Sequence, residues 1–139
     1  MKYICLGYMD EKKWDTMSEK ERNFFMDECF VYDDELRRNG HFAGGEALQS
    51  ARNAATLRYR NNVVTITDGP YTETKEQLGG IMILEARDLN HAIQLMSKHP
   101  SIRMGGCFEV RPAADLTEMM NQSEVRWLSP QLHQTRDGV

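Results

Sequence analysis

Five side chains within nine residues carry groups that can move protons or hold charge: Asp68, Tyr71, Glu73, Lys75 and Glu76, in the stretch TDGPYTETKEQLGG. A carboxylate at a strand end becomes a general base once burial raises its pKa, which makes Asp68 the first candidate. Tyr71 offers a wall or a proton donor. Lys75 and Glu73 offer charges that could hold a polar substrate. The same residues also read as plain architecture. An Asp accepts bonds from the amides that follow it, Gly69 supplies unusual backbone angles, and Pro70 fixes φ. The span from Asp68 to Gly80 is thirteen residues, far more than a tight connection needs, and loops of that length are often lids or binding loops.

Outside this stretch the candidates are scattered. Glu46 follows Gly44-Gly45 and could face a cleft. Arg58 and Arg60 alternate outward on one strand and could bind a carboxylate, with Arg58 the stronger candidate. Arg111 serves as a second anion holder, and its spacing from Glu109 puts the two on one strand face. His41 follows a helix end and is a candidate acid or base. Cys29 and His99 invite comparison with a nucleophilic pair, although a core cysteine explains Cys29 as simply. His99 is read at the end of a helix, where the dipole favours its charged form. The four histidines show neither HxH nor HExxH spacing, so no metal is expected, and nothing points to an organic cofactor.

These residues need a scaffold, and hydrophobic periodicity outlines one. KYICLGY (2–8) reads as a strand. Ser18 with Glu21 forms a capping box, and Phe25, Cys29, Tyr32 and Leu36 recur on one face of a helix spanning 18–40 that ends at Gly40. HFAGGEAL follows, where Gly44-Gly45 marks a bend or a close backbone approach. ATLRYR and VVTIT flank Asn61-Asn62, the signature of a tight hairpin. After the long loop, IMILEA (81–86) is apolar on both faces and predicts a strand covered on both sides. Residues 88–100 form a second helix capped by Asp88 and stopped by Pro100, and GGCFEVRP (105–112) a last strand. The order is a split βαβ, or ferredoxin-like, α+β plan: an antiparallel sheet with two helices on one face. A second copy packed on the bare face predicts a homodimer. Residues 1–113 form the domain. Residues 114–139 form an extension, partly helical or loose, with Trp127 as an anchor.

The chain has 139 residues, 17 Lys plus Arg against 21 Asp plus Glu, and a net charge of −4. That balance argues against a nucleic-acid partner. The absence of a membrane-length apolar run and of a signal-like start predicts a cytoplasmic protein without a membrane partner. Cys5, Cys29 and Cys107 are odd in number and far apart, which predicts reduced, buried thiols.

TDGPYTETKEQLGG resembles the motif of the DGPF group of YCII-related proteins, which carry Phe where this chain has Tyr71. GHFAGGEAL, IMILEARDLNHAI and GGCFEVRP frame it in the same way, so the resemblance spans roughly residues 1–113. It implies the dimeric α+β barrel version of the ferredoxin-like fold. Some relatives look like dehydrochlorinase- or isomerase-type enzymes that use a His–Asp pair in a cleft beside the sheet. Here the helix position of that His is occupied by Cys29, and the Asp before a Pro is replaced by His99. The resemblance therefore leaves two expectations: acid–base chemistry on a small molecule, or a non-catalytic binding or accessory module.

Overall fold

A computed structural model describes residues 1–123 of the chain. Four strands form one antiparallel sheet: β1 (Lys2–Asp10), β2 (Phe42–Ala47), β5 (Glu76–Glu85) and β6 (Cys107–Pro112), in the spatial order β2-β5-β1-β6. A separate hairpin, β3 (Ala55–Arg60) with β4 (Val63–Asp68), completes the strands. The helices are α1 (Glu11–Thr16), α2 (Glu19–Arg38), α3 (Leu89–Met96), α4 (Pro100–Arg103) and α5 (Leu116–Gln122). The sheet order, with α2 and α3 as crossovers, is the split βαβ arrangement. The expected ferredoxin-like α+β class is therefore the observed one, as an open sheet rather than a closed barrel.

Local signals account for most elements. Ser18 accepts from the Glu21 amide while the Glu21 carboxylate accepts from the Ser18 amide, so the capping box is complete. Asn61 and Asn62 both take positive φ, 51° and 64°, which the tight hairpin requires. Asp88 caps α3 by accepting from the His91 amide.

Three boundaries differ from expectation. Phe42–Ala47, where a bend or a close backbone approach is expected, is the edge strand β2, and Gly45 makes the close approach: a Cβ there would lie 2.9 Å from the Ile81 carbonyl oxygen. Strand β5 starts at Glu76 rather than at residue 81, because Glu76, Gln77 and Leu78 pair with Asp10, Met9 and Tyr8 across a register shift at Gly7/Tyr8. The long loop thus shrinks to residues 69–75. Pro100 does not simply stop a helix; it opens α4, with His99 as its cap, the first-turn position where proline's missing N–H costs nothing.

The core lies between the sheet and the helices. Tyr3, Cys5, Met82 and Leu84 from the strands meet Leu36 of α2 and Ala92 and Met96 of α3. The opposite face of the same strands carries Ile4, Leu6, Ile81 and Ile83, which register places side by side. No helix among the described residues covers it, and Ile81 is 37% exposed. The expectation that strand 81–86 is covered on both sides therefore holds on one side within this chain. No helix among the described residues is long and apolar enough to cross a membrane. Trp127 lies outside the described residues.

Candidate functional site

At one end of the open sheet face is a cleft of about 560 Å³, within the size range of small-molecule sites. Its floor comes from Tyr8, Leu78 and Glu76. One wall is residues 48–54, which enclose the short 3-10 turn Ala51–Asn53. The other wall is Pro70, Tyr71, Thr72 and Thr74.

Hydrogen bonds hold both walls. Glu11 at the start of α1 accepts from the Ala51 amide at 2.7 Å and from the Ser50 hydroxyl at 3.1 Å. The Leu48 amide donates to the Gly79 carbonyl at 2.9 Å. On the other side, the Gln77 side-chain amide donates to the carbonyls of Thr72 and Thr74 at 3.1 and 2.9 Å. The Gly69 amide reaches the Ala54 carbonyl at 2.7 Å, and the Thr56 hydroxyl reaches the Gly69 carbonyl. The loop is thus an ordered crossing organised by Gln77 and Thr56. Sequence reasoning missed Gln77, because a glutamine in a polar run carries no distinguishing signal.

The proposed site residues separate. Tyr71 lines the cleft and is 78% exposed. The guanidinium of Arg58 reaches the Tyr71 carbonyl at 3.4 Å. Glu73 and Lys75 lie in the exposed loop beside the cleft without lining it. Asp68 also lies outside the lining. It is exposed, opposite Ala55 in the hairpin ladder, and its carboxylate has no hydrogen-bond or ion-pair partner among the described residues. The acidic residue in the lining is Glu76; its Oε2 accepts from the thiol of Cys107, which lies outside the lining, at 3.5 Å. Cys107 is exposed rather than buried as expected. Partial burial, the hydrogen bond to Glu76 and the charge of Glu76 all push its thiol pKa up.

Glu46 and Arg111 share the open face further along the sheet: Glu46 pairs with Ile81 and Arg111 with Ile4. Arg111 holds Glu109 at 2.6 Å, the pairing their spacing suggested. His41 is remote from the cleft. Its Nδ1–H donates to the Glu85 carbonyl at 3.0 Å, and its ring meets that of His91 edge-on at 5.0 Å. Strand β5 is ten residues long, about 30 Å at ~3.3 Å per residue, and it separates this corner from Glu76.

A second cluster lies under the helices. His99 is 7% exposed, between Tyr32 and Phe108. Its Nδ1 accepts from the Ser101 amide at 3.2 Å, so the ring proton is on Nε2, which faces Asp33 Oδ1 at 3.9 Å. That distance is too long for a hydrogen bond, and the buried Asp33 oxygen has no other partner. Burial pushes His99 down to about 4. The expected dipole-stabilised charged His99 is therefore a buried neutral one, because it caps the start of α4 instead of ending a helix. Burial raises the Asp33 pKa, an effect that Arg37 partly offsets. The Cys29 thiol, on the same helix, is pushed up to about 11 by burial and by Asp33 and Glu28. A protonated, buried thiol is a poor nucleophile, so the Cys29–His99 pairing reads as core. On the outer side of this layer, a groove of about 410 Å³ runs between α2 and α4, lined by Phe24, Glu28, Tyr32 and Arg103.

Among the described residues, no three His, Cys, Asp or Glu side chains come together to hold a metal ion.

Fold and cleft together define a ferredoxin-like α+β protein with an open sheet face and a cavity on that face. Residues 1–117 match the YCII-related domain, and the chain belongs to that family. It is 31% identical over 118 residues to an uncharacterized protein of Rhizobium meliloti (strain 1021), a match covering 82% of this chain and 93% of that protein.

Proposed function

We propose that this YCII-related protein, of the DGPF subgroup, binds a small polar or aromatic molecule in the cleft at the end of the open sheet face. There it performs acid–base chemistry, a proton transfer or an elimination. The observation that carries this reading is the cleft itself: two ordered walls around Tyr8, Tyr71 and Glu76. Tyr71 keeps its role as wall or proton donor. Glu76 takes the role of base expected of Asp68, because it is the acidic residue in the lining. Arg58, beside Tyr71, and Lys75, on the loop, are the nearest cations for an anionic substrate group. The protein works as a homodimer, which the uncovered Ile4, Leu6, Ile81 and Ile83 support. It works in the cytoplasm, which its free cysteines support.

The test is deuterium uptake. Aromatic and hydroxylated carboxylic acids are incubated with the protein in D₂O and followed by proton NMR. Loss of a C–H signal with the parent protein, slowed at least tenfold in Glu76→Gln, is expected. Exchange that proceeds equally in Glu76→Gln contradicts the assignment of the base.

The second reading is a non-catalytic binding module. It is favoured by the position of the chain's buried His–Asp contact, His99 with Asp33, which lies on the helix side of the sheet, away from the cleft. It predicts that the same acids shift the melting temperature without any exchange.

A further inference from the structure

The side chain of Glu76 reaches past the neighbouring strand. Its Oε2 accepts from the Cys107 thiol at 3.5 Å, yet β1 runs between β5, which carries Glu76, and β6, which carries Cys107. In the ladders Tyr8 stands opposite Leu78 on one side and Cys107 on the other, and Asp10 stands opposite Glu76. The carboxylate therefore crosses β1 beside Tyr8, over the floor of the cleft. Cys107 is the one described group that holds it. Asp10 turns to α1, where its Oδ1 accepts from the Lys12 amide at 3.0 Å. The Lys13 ammonium is taken by the Met104 carbonyl at 2.6 Å. The second oxygen of Glu76, Oε1, has no hydrogen-bond or ion-pair partner among the described residues.

We propose that Cys107 is a positioning residue: its S–H holds Oε2 of Glu76 so that Oε1 is presented to the ligand. The inference rests on Glu76 being the base, as proposed above, and adds the group that aims it. Cys107 lies outside the lining, so it acts through Glu76 and not on the ligand. In the proton transfer the C–H electron pair stays on the substrate and the proton moves to Oε1, where exchange with solvent replaces it before return. Cys107 keeps its own proton. Burial, the bond to Glu76 and the charge of Glu76 push its thiol pKa up, which makes it a donor rather than a nucleophile at neutral pH. A glutamate without a tether spreads over several rotamers, and a base misplaced by about 1 Å loses up to about a hundredfold in rate. The thiol is a weak donor, so its removal is expected to cost less, about tenfold.

Two measurements on the full chain test this, with circular dichroism to confirm folding. The first reads the contact without any substrate. Alkylation of Cys107 by iodoacetamide is followed by peptide mass spectrometry from about pH 7 to 11 in the parent and in Glu76→Gln. Loss of the neighbouring negative charge favours the thiolate, so the midpoint is expected to be lower in Glu76→Gln. Equal midpoints mean that thiol and carboxylate do not meet, and overturn the proposal. The second is the deuterium uptake assay on Cys107→Ala and Cys107→Ser. In Cys107→Ala the rate at saturating acid is expected to fall about tenfold, with the half-saturating concentration within about twofold of the parent's. Cys107→Ser, whose hydroxyl can donate to the same oxygen, is expected to recover most of that rate. Should Cys107→Ala misfold, Cys107→Val takes its place. An unchanged rate in Cys107→Ala overturns the proposal and leaves Glu76 as the base without it. A rate in Cys107→Ser as low as in Cys107→Ala, or a loss confined to the half-saturating concentration, gives Cys107 a packing or binding role and overturns it as well. A parent that exchanges none of the acids overturns the proposed chemistry, and the positioning role with it, even where the alkylation midpoints differ.

Discussion

The two faces of the central sheet are built from the same strands, residue by residue in alternation, yet they do opposite work. On the helix side, Tyr3, Cys5, Leu84 and Met96 are almost fully buried, and even the one histidine is held neutral. On the open side, Ile81 stands beside Glu46, Leu6 beside Glu109 and Ile4 beside Arg111, and the strand ends frame a cleft. The covered face stabilises the fold and offers no reactive group in a usable state: its thiols at Cys5 and Cys29 are both pushed up to about 11. The open face leaves its polar groups reachable. A buried His–Asp contact is therefore a weaker pointer to chemistry here than an exposed carboxylate in a cleft.

Two truncations separate the faces by the largest expected effect. Leu84→Ala removes a fully buried side chain and should cost about 2–5 kcal/mol of folding stability. Ile83→Ala, one residue along on the other face, should cost under about 1 kcal/mol in dilute protein, with a larger loss appearing only as concentration rises. Urea unfolding of both variants at two concentrations checks this; equal costs in dilute protein would erase the distinction between the faces.

The next effect is a pH dependence on the covered side. His99 titrates at about 4 when folded and near 6.5 when unfolded. The unfolded chain therefore binds the proton first. The stability tied to neutral His99 is complete above about pH 6.5, falls as the pH drops, and is gone below about 4. The loss is at most roughly 3 kcal/mol. His99→Asn keeps a capping acceptor for the Ser101 amide and should flatten this acid limb in thermal melts between pH 7 and 4. The raised pKa of Asp33 has the opposite sign, since its carboxylate opposes folding at neutral pH. Asp33→Asn should therefore leave stability at pH 7 unchanged or higher.

A smaller effect separates two residues of the cleft loop. Gln77→Ala removes both bonds that hold the Thr72–Thr74 wall and should cost about 1 kcal/mol, together with faster proteolysis in residues 69–75. Asp68→Ala should change the stability of dilute protein by less than about 0.5 kcal/mol. A loss of 1–3 kcal/mol in Asp68→Ala would mean that Asp68, and not Gln77, orders the loop.

What could be read in advance follows how local each signal is. The capping box at Ser18–Glu21 and the Asn61-Asn62 turn are short-range devices, and both formed as written. Strand β2 was hidden because FAGGEA has two glycines and few β-forming side chains; its place at the edge next to β5 makes it a strand. Glu76–Gly80 reads as loop because it is polar and ends in Gly79-Gly80, and only pairing with β1 across a bulge extends it. His99 and Asp33 are far apart in the chain, so no spacing rule could join them. The motif points to a stretch that supplies one wall of the cleft, but that Glu76 and not Asp68 belongs to the lining depends on strand pairing that no local spacing reveals.

The most direct test of the account is amide chemical-shift mapping of ¹⁵N-labelled protein against a library of aromatic and hydroxylated carboxylic acids. The account predicts shifts gathered at Tyr8, Ala51, Tyr71, Thr72, Glu76 and Gln77. Shifts gathered instead around Asp33 and His99, or along the groove of Phe24, Glu28, Tyr32 and Arg103, would contradict it and move the working site to the helix side of the sheet.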